Sequence, residues 1–177
     1  MSALRRPGTD EHNPFYGRYI DLVPDGDIVE TLTSQLGETL ALLQGVPEER
    51  ETFAYAPSKW TIRQVVGHLV DTERVMAYRA MHIARTDDAD LPGMEQDDWV
   101  AHSNADRRPL VDLASEWGSV RRANLHFFAT LDPESCERHG RAAGSDFTVR
   151  CFPWIIAGHE LWHRNLLEKD YGVSAIR

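Results

Sequence analysis

His159 and His163 stand four residues apart in the segment Ile-Ala-Gly-His-Glu-Leu-Trp-His-Arg-Asn, residues 156–165. On an α-helix, positions i and i+4 share one face, so both imidazoles point the same way. Phe152, Ile155, Ile156, Trp162 and Leu166 recur around them at helical spacing. The pair therefore interrupts an apolar stripe instead of decorating a polar one. Two inward imidazoles need partners, because burying an unpaired polar ring costs free energy. A divalent cation between the ring nitrogens meets that need, and neutral imidazole is a ligand for zinc, nickel and iron. The alternative is a pair of core histidines bonded to carbonyls or water. His68 lies in a second apolar stripe with Val65, Leu69 and Met76, which makes it a candidate third ligand from a facing helix.

Three protein ligands leave a tetrahedral ion one open position, the pattern of catalytic rather than structural zinc. Gln64 and Asp71 sit four residues before and three after His68. Either they orient an imidazole at the site, or they are a helix-capping amide and an ordinary exposed acid. His159-Glu160-Leu-Trp-His163 also matches H-E-x-x-H, in which the Glu is the general base of a metalloprotease. The extended peptidase form needs Gly and His three and six residues after the second His, where this chain has Leu166 and Lys169. Peptidase activity is thus disfavoured, while metal-assisted hydrolysis with Glu160 as base stays open. Cys136 and Cys151 are too few for a disulfide framework and are read as reduced, so no protein nucleophile is assigned. His12, His82, His102, His126 and His139 have no partner at ligand spacing and are read as non-ligands.

Four amphipathic helices must position these groups. Asp27 caps the first, whose stripe is Ile28, Leu32, Leu36, Leu40 and Leu43 and which ends near 44, before Gly45 and Pro47. Thr61-Ile-Arg-Gln64 has capping-box form and starts a second helix from 62 to about 84. Pro109 opens a third, with Leu113, Trp117, Val120, Asn124, Phe127 and Leu131 as its inner face, and Pro153 suits the first turn of the fourth. Residues 1–26 read as an irregular arm pinned by Phe15, Tyr16, Tyr19 and Ile20, with the bundle domain over 27–177. The long connection over 85–108 is expected to hold a short helix near 95–104. Its acids, Asp87, Asp88, Asp90, Glu95, Asp97 and Asp98, read as a solvated face rather than a cation site. Residues 132–148 read as a loop, and no strand alternation is evident. The expected fold is all-α, a four-helix bundle.

Length and charge narrow the function classes. A chain of 177 residues predicts one domain. The net charge of −9 argues against nucleic-acid binding and against docking on anionic membranes. No apolar run reaches the roughly 18 residues of a membrane span, and the N-terminus carries charge and proline where a signal peptide is apolar. The expected location is cytoplasmic.

Residues 59–73, Lys-Trp-Thr-Ile-Arg-Gln-Val-Val-Gly-His-Leu-Val-Asp-Thr-Glu, resemble the second-helix signature of the DinB-like (DinB/YfiT-like) superfamily, and residues 156–165 resemble its fourth-helix signature. The resemblance spans about residues 27–170. It implies a four-helix bundle with a long crossover between helices two and three, paired as a homodimer. It also implies three histidine ligands, which carry over to His68, His159 and His163. Some members are similar to thiol-dependent S-transferases that use bacillithiol, mycothiol or glutathione. The leading expectation is therefore a metal-dependent, thiol-dependent S-transferase-like enzyme acting on a small molecule in stress response or detoxification. Its cofactors would be a divalent metal, zinc first and nickel next, and a low-molecular-weight thiol. Metal-assisted hydrolysis and a non-catalytic metal-binding interaction module are the alternatives. Arg74, Arg121, Arg122 and Arg164 either receive the carboxylates of such a thiol or are surface charges. Trp60, Trp117, Trp154 and Trp162 are read as core anchors.

Overall fold

A computed structural model describes residues 3–175. Capping chemistry starts two of the four long helices. The Asp27 carboxylate accepts the N–H groups of Val29 and Glu30 at the start of α2, Ile28–Gln44. At the start of α3, Ile62–Arg85, the Thr61 hydroxyl accepts the Gln64 N–H while the Gln64 side chain accepts the Thr61 N–H. After α3, the chain runs through β1, Asp90–Leu91, and α4, Gln96–His102. A 3-10 turn, Ala105–Arg107, then leads into α5, Leu110–Ala129. The last long helix, α7, spans Cys151–Lys169 with Pro153 in its first turn, where the missing N–H costs nothing. Both α2 and α3 pack against α5 and α7, which makes a four-helix bundle with a long crossover between its second and third helices. No helix among the described residues is long and apolar enough to cross a membrane.

Three expectations need correction. The arm is not wholly irregular: a 3-10 turn, Pro14–Tyr16, runs into α1, Gly17–Ile20, which packs on α7. The approach is so close that a Cβ on Gly158 would lie 2.0 Å from the Tyr19 carbonyl oxygen, so only glycine fits there. The loop over 132–148 holds α6, Pro133–Glu137, and an antiparallel hairpin of β2, His139–Ala142, with β3, Ser145–Thr148. Strand β1 pairs in parallel with β2, through Asp90 with Arg141 and Leu91 with Ala142. These strands are too short to show a two-residue hydrophobic period. Their signal was the turn: Ala143 and Gly144 both take positive φ, 50° and 75°.

The third correction concerns which side chains face inward. On α5 the buried set is Leu110, Leu113, Ala114, Trp117, Gly118, Arg121 and Phe128, while Val120, Asn124 and Phe127 are only half-buried. Arg121 is not a surface charge; it is 1% exposed. Trp117 and Trp154 anchor the core, but Trp162 is 42% exposed and Trp60 is half-buried beside the histidines.

Candidate metal centre

Helix α3 brings His68 and α7 brings His159 and His163 to one point inside the bundle. All three are buried. Their ligand nitrogens all lie within 4.8 Å of one another, and His68 Nε2 is 3.0 Å from His159 Nε2. The rings stand edge to face, with centroids 4.9, 5.0 and 4.5 Å apart. Among the described residues, no carboxylate joins the three and none of the other histidines does.

Burial favours the neutral form of each ring. It brings His68 down to about 4. Burial, and then the charge of His68, bring His163 down to about 3. Burial first, and then the other two imidazoles, hold His159 well below the usual histidine value. Neutral imidazole is the form that ligates a metal. One polar atom is left over: His163 Nδ1 is buried without a hydrogen-bond partner. Three neutral nitrogen donors with an orphan among them fit a divalent cation better than they fit one another.

The surroundings fix the rings. Trp60 lies 4.7 Å from His68 and stacks at 6.4 Å on His163, centroid to centroid. Tyr19 packs edge-on against His159 at 5.3 Å. The Thr72 hydroxyl lies 3.4 Å from the His68 ring nitrogens, one turn along α3. His68 and His159 line a cavity of about 390 Å³ with Tyr19, Thr72, Met76, Ile155 and the crossover acids Glu95, Asp97 and Asp98.

Glu160 points elsewhere. Its Oε1 accepts the Thr39 hydroxyl at 2.5 Å, and its Oε2 forms an ion pair with Arg121 at 2.7 Å. Arg121 also donates to both oxygens of Glu73, at 2.7 and 2.9 Å, and to the Leu32 carbonyl at 3.2 Å. Burial pushes the Glu160 carboxyl up, against the opposing pull of Arg121. This cluster lies beside His159 but does not line the large cavity.

The other sequence candidates are placed away from the imidazoles. Gln64 is used in the helix cap. Asp71 is half-buried on the side facing Arg74, Arg108 and Glu116, and burial raises its carboxyl. Arg74 pairs with Glu116 and Arg164 with Glu38, Arg122 is exposed, and none of the four arginines lines the cavity. Cys151 is buried and donates to the Thr148 carbonyl at 3.0 Å, and Cys136 is buried as well. Sequence reasoning passed over Thr72, Trp60, Tyr19 and the three crossover acids. Only Thr72 had a local signal, its i+4 spacing from His68.

Comparisons with known proteins agree with this geometry. A protein of Oceanobacillus iheyensis, whose name assigns it provisionally to the metal-dependent hydrolases, is 35% identical over 73 residues. That match spans 41% of this chain and 40% of the relative. The structure of YfiT from Bacillus subtilis, described as a probable metal-dependent hydrolase with an unusual four-helix bundle topology, superposes with a TM-score of 0.67 at 15% identity. It covers 95% of this chain and 94% of that one, which establishes the shared fold. The model of the DinB superfamily matches residues 31–167. By that match, and with the bundle and the histidine cluster in place, this chain belongs to the DinB superfamily.

Proposed function

We propose that the protein is a metal-dependent hydrolase of small molecules, with His68, His159 and His163 holding one divalent ion, zinc first and nickel next. The observation that carries this reading is the convergence of three buried imidazoles, two of which, His68 and His159, line a cavity large enough for a small molecule. A divalent ion held there supplies Lewis acidity and an activated water. The residues of the chain do the positioning. Trp60 and Tyr19 brace the rings from two sides, and Met76 and Ile155 give the cavity apolar walls that keep bulk water off the reacting end. Glu160 is not the base in this reading, because one oxygen is bonded to Thr39 and the other is paired with Arg121. Its work is to hold α7 in register with α2 and α5.

Thiol transfer is the rival chemistry at the same centre. Both cysteines are buried away from the cavity, so the thiol would come from a co-substrate. One experiment separates the readings. Protein purified without a polyhistidine tag is analysed for metal, beside His159→Ala, and the loaded protein is assayed on chromogenic esters and amides. It is also assayed on monochlorobimane with several thiols. The expected result is about one equivalent of metal and ester or amide turnover that a chelator abolishes. Thiol-dependent conjugation without hydrolysis favours the rival, and a protein that takes up no metal ends both.

A further inference from the structure

We propose that the cavity selects substrates carrying a protonated amine, which the crossover acids hold at the rim while the reactive end of the molecule reaches the imidazoles. This inference rests on the metal-dependent reading and adds the substrate class to it. Three residues with carboxylates, Glu95, Asp97 and Asp98, line the cavity, and all three are exposed. Among the described residues, no lysine, arginine or histidine forms an ion pair with any of them. Among the described residues, no lysine or arginine lines the cavity. The lining also has an aromatic part, with Phe15 packed edge to face on Tyr16 and on Tyr19.

An ammonium group gains from both features, by charge attraction to the acids and by the electron-rich ring faces. A carboxylate gains from neither. Arg18 is the one cation stacked on that wall, 3.9 Å from the Phe15 ring centroid; its Nε donates to the Phe15 carbonyl and it does not line the cavity. The acids alone would be a solvated patch. What makes them part of a site is the other end of the same cavity, where His68 and His159 are each more than nine-tenths buried. A cation held there would repel an ammonium group, so the charge pattern also sets direction, with the amine outward and the reactive group inward. Glu95 at the N-cap and Asp97 and Asp98 in the first turn also favour α4 through its dipole, and that contribution is independent of any ligand.

Two probe sets test the proposal by calorimetry. The first set is three alkanohydroxamates of equal length ending in ammonium, hydroxyl or carboxylate, titrated into metal-loaded protein. The second is 4-phenylbutylammonium and 4-phenylbutyrate, which carry no chelating group, titrated into metal-free protein. In each set the ammonium probe is expected to bind about tenfold tighter than the carboxylate at low salt, since exposed ion pairs contribute roughly 0.2–1 kcal/mol each. In the triple variant Glu95→Gln, Asp97→Asn, Asp98→Asn that gap should shrink to about twofold while the hydroxyl probe is unaffected. Salt near 1 M, where the Debye length is about 3 Å, should shrink it in the unaltered protein, which keeps the test independent of how the variant folds. Equal binding of ammonium and carboxylate, or a gap that survives both neutralisation and salt, overturns the proposal. If the protein takes up no metal, the metal reading fails and the metal-free pair still decides the rim.

Discussion

Two polar clusters are buried side by side in this bundle, and they touch at consecutive residues of α7. His159 belongs to one and Glu160 to the other. The Glu73–Arg121–Glu160 cluster is closed by charge: Glu160 Oε2, which makes no hydrogen bond, is held by its ion pair with Arg121. It draws Leu32 and Thr39 from α2, Glu73 from α3, Arg121 and Asn124 from α5 and Glu160 from α7, so all four long helices meet there. Opposite charges face each other, and the cluster borders a void of only about 10 Å³. The histidine cluster is open. It gathers three groups of one kind with no counter-charge, leaves His163 Nδ1 unpartnered, and borders the large cavity. Buried polar groups that satisfy one another specify a structure; buried polar groups that cannot do so mark where something from outside belongs.

Removing one partner from the closed cluster should cost most. Arg121→Met strands two carboxylates in the core, and chemical denaturation should show a loss of about 3–5 kcal/mol. Adding Glu73→Leu and Glu160→Met to the same chain should restore much of it, because a triad replaced by apolar groups leaves no charge behind. If the single variant were as stable as the parent, the cluster would not be the structural clamp described.

The open cluster should respond in the opposite way. His159→Ala removes one hydrogen bond, the 3.0 Å contact with His68 Nε2, and no ion pair, so the metal-free protein should lose no more than about 1.5 kcal/mol. Metal affinity should fall by at least about 100-fold, and with it the rise in Tm on adding metal. A large loss of metal-free stability would mean that the histidines are ordinary core groups.

Glu160→Gln sharpens the boundary between the two clusters. As part of the clamp, it should cost about 1–3 kcal/mol of stability and leave metal occupancy unchanged. Ester turnover by the loaded variant should fall less than about tenfold. A drop of 100-fold or more at full occupancy would identify Glu160 as the base after all, since a general base contributes about 10² to 10⁴.

The sequence carried the open cluster better than the closed one, for a physical reason. His159 and His163 lie on one turn of one helix, where spacing alone sets direction. His68 was reachable because the stripe of α3 has an unambiguous buried side. Glu73, Arg121 and Glu160 are ion-forming residues on three different helices, and a charge on an amphipathic helix reads as outward unless its partners are known. Burying Arg121 is what set the inner face of α5 differently from the one its apolar residues suggest. The crossover acids were legible as a charge run but not as a cavity wall, since their position depends on how the chain between α3 and α5 is laid over the bundle. The hairpin was missed because strands of four residues carry almost no period.

A third cluster lies between the two extremes and should give the smallest effect. Glu11 ties the N-terminal arm to β3 and to the start of α7: its carboxylate accepts from Arg150 at 2.5 Å, from the Thr148 hydroxyl at 2.8 Å and from the Gly8 N–H at 3.0 Å. Burial pushes this carboxyl up, but Arg150, Gly8 and Thr148 together outweigh it and bring it down from 4.5 to about 2. Because the folded value is the lower one, the folded protein holds the charged form more strongly than the unfolded chain does. The stabilisation is complete above about pH 4.5 and is lost as the pH falls toward 2. Urea titrations from pH 6 down to 2.5 should therefore show the parent losing about 1 kcal/mol more than Glu11→Gln over that interval, since the pair is partly screened by solvent. Identical pH profiles would show that the Glu11 carboxylate does not help to hold the arm, leaving that to its apolar contacts and to bonds such as Trp154 Nε1 to the Leu4 carbonyl. In that case the placement of Tyr19 against His159 would rest on apolar packing and on the close contact at Gly158, with no contribution from charge.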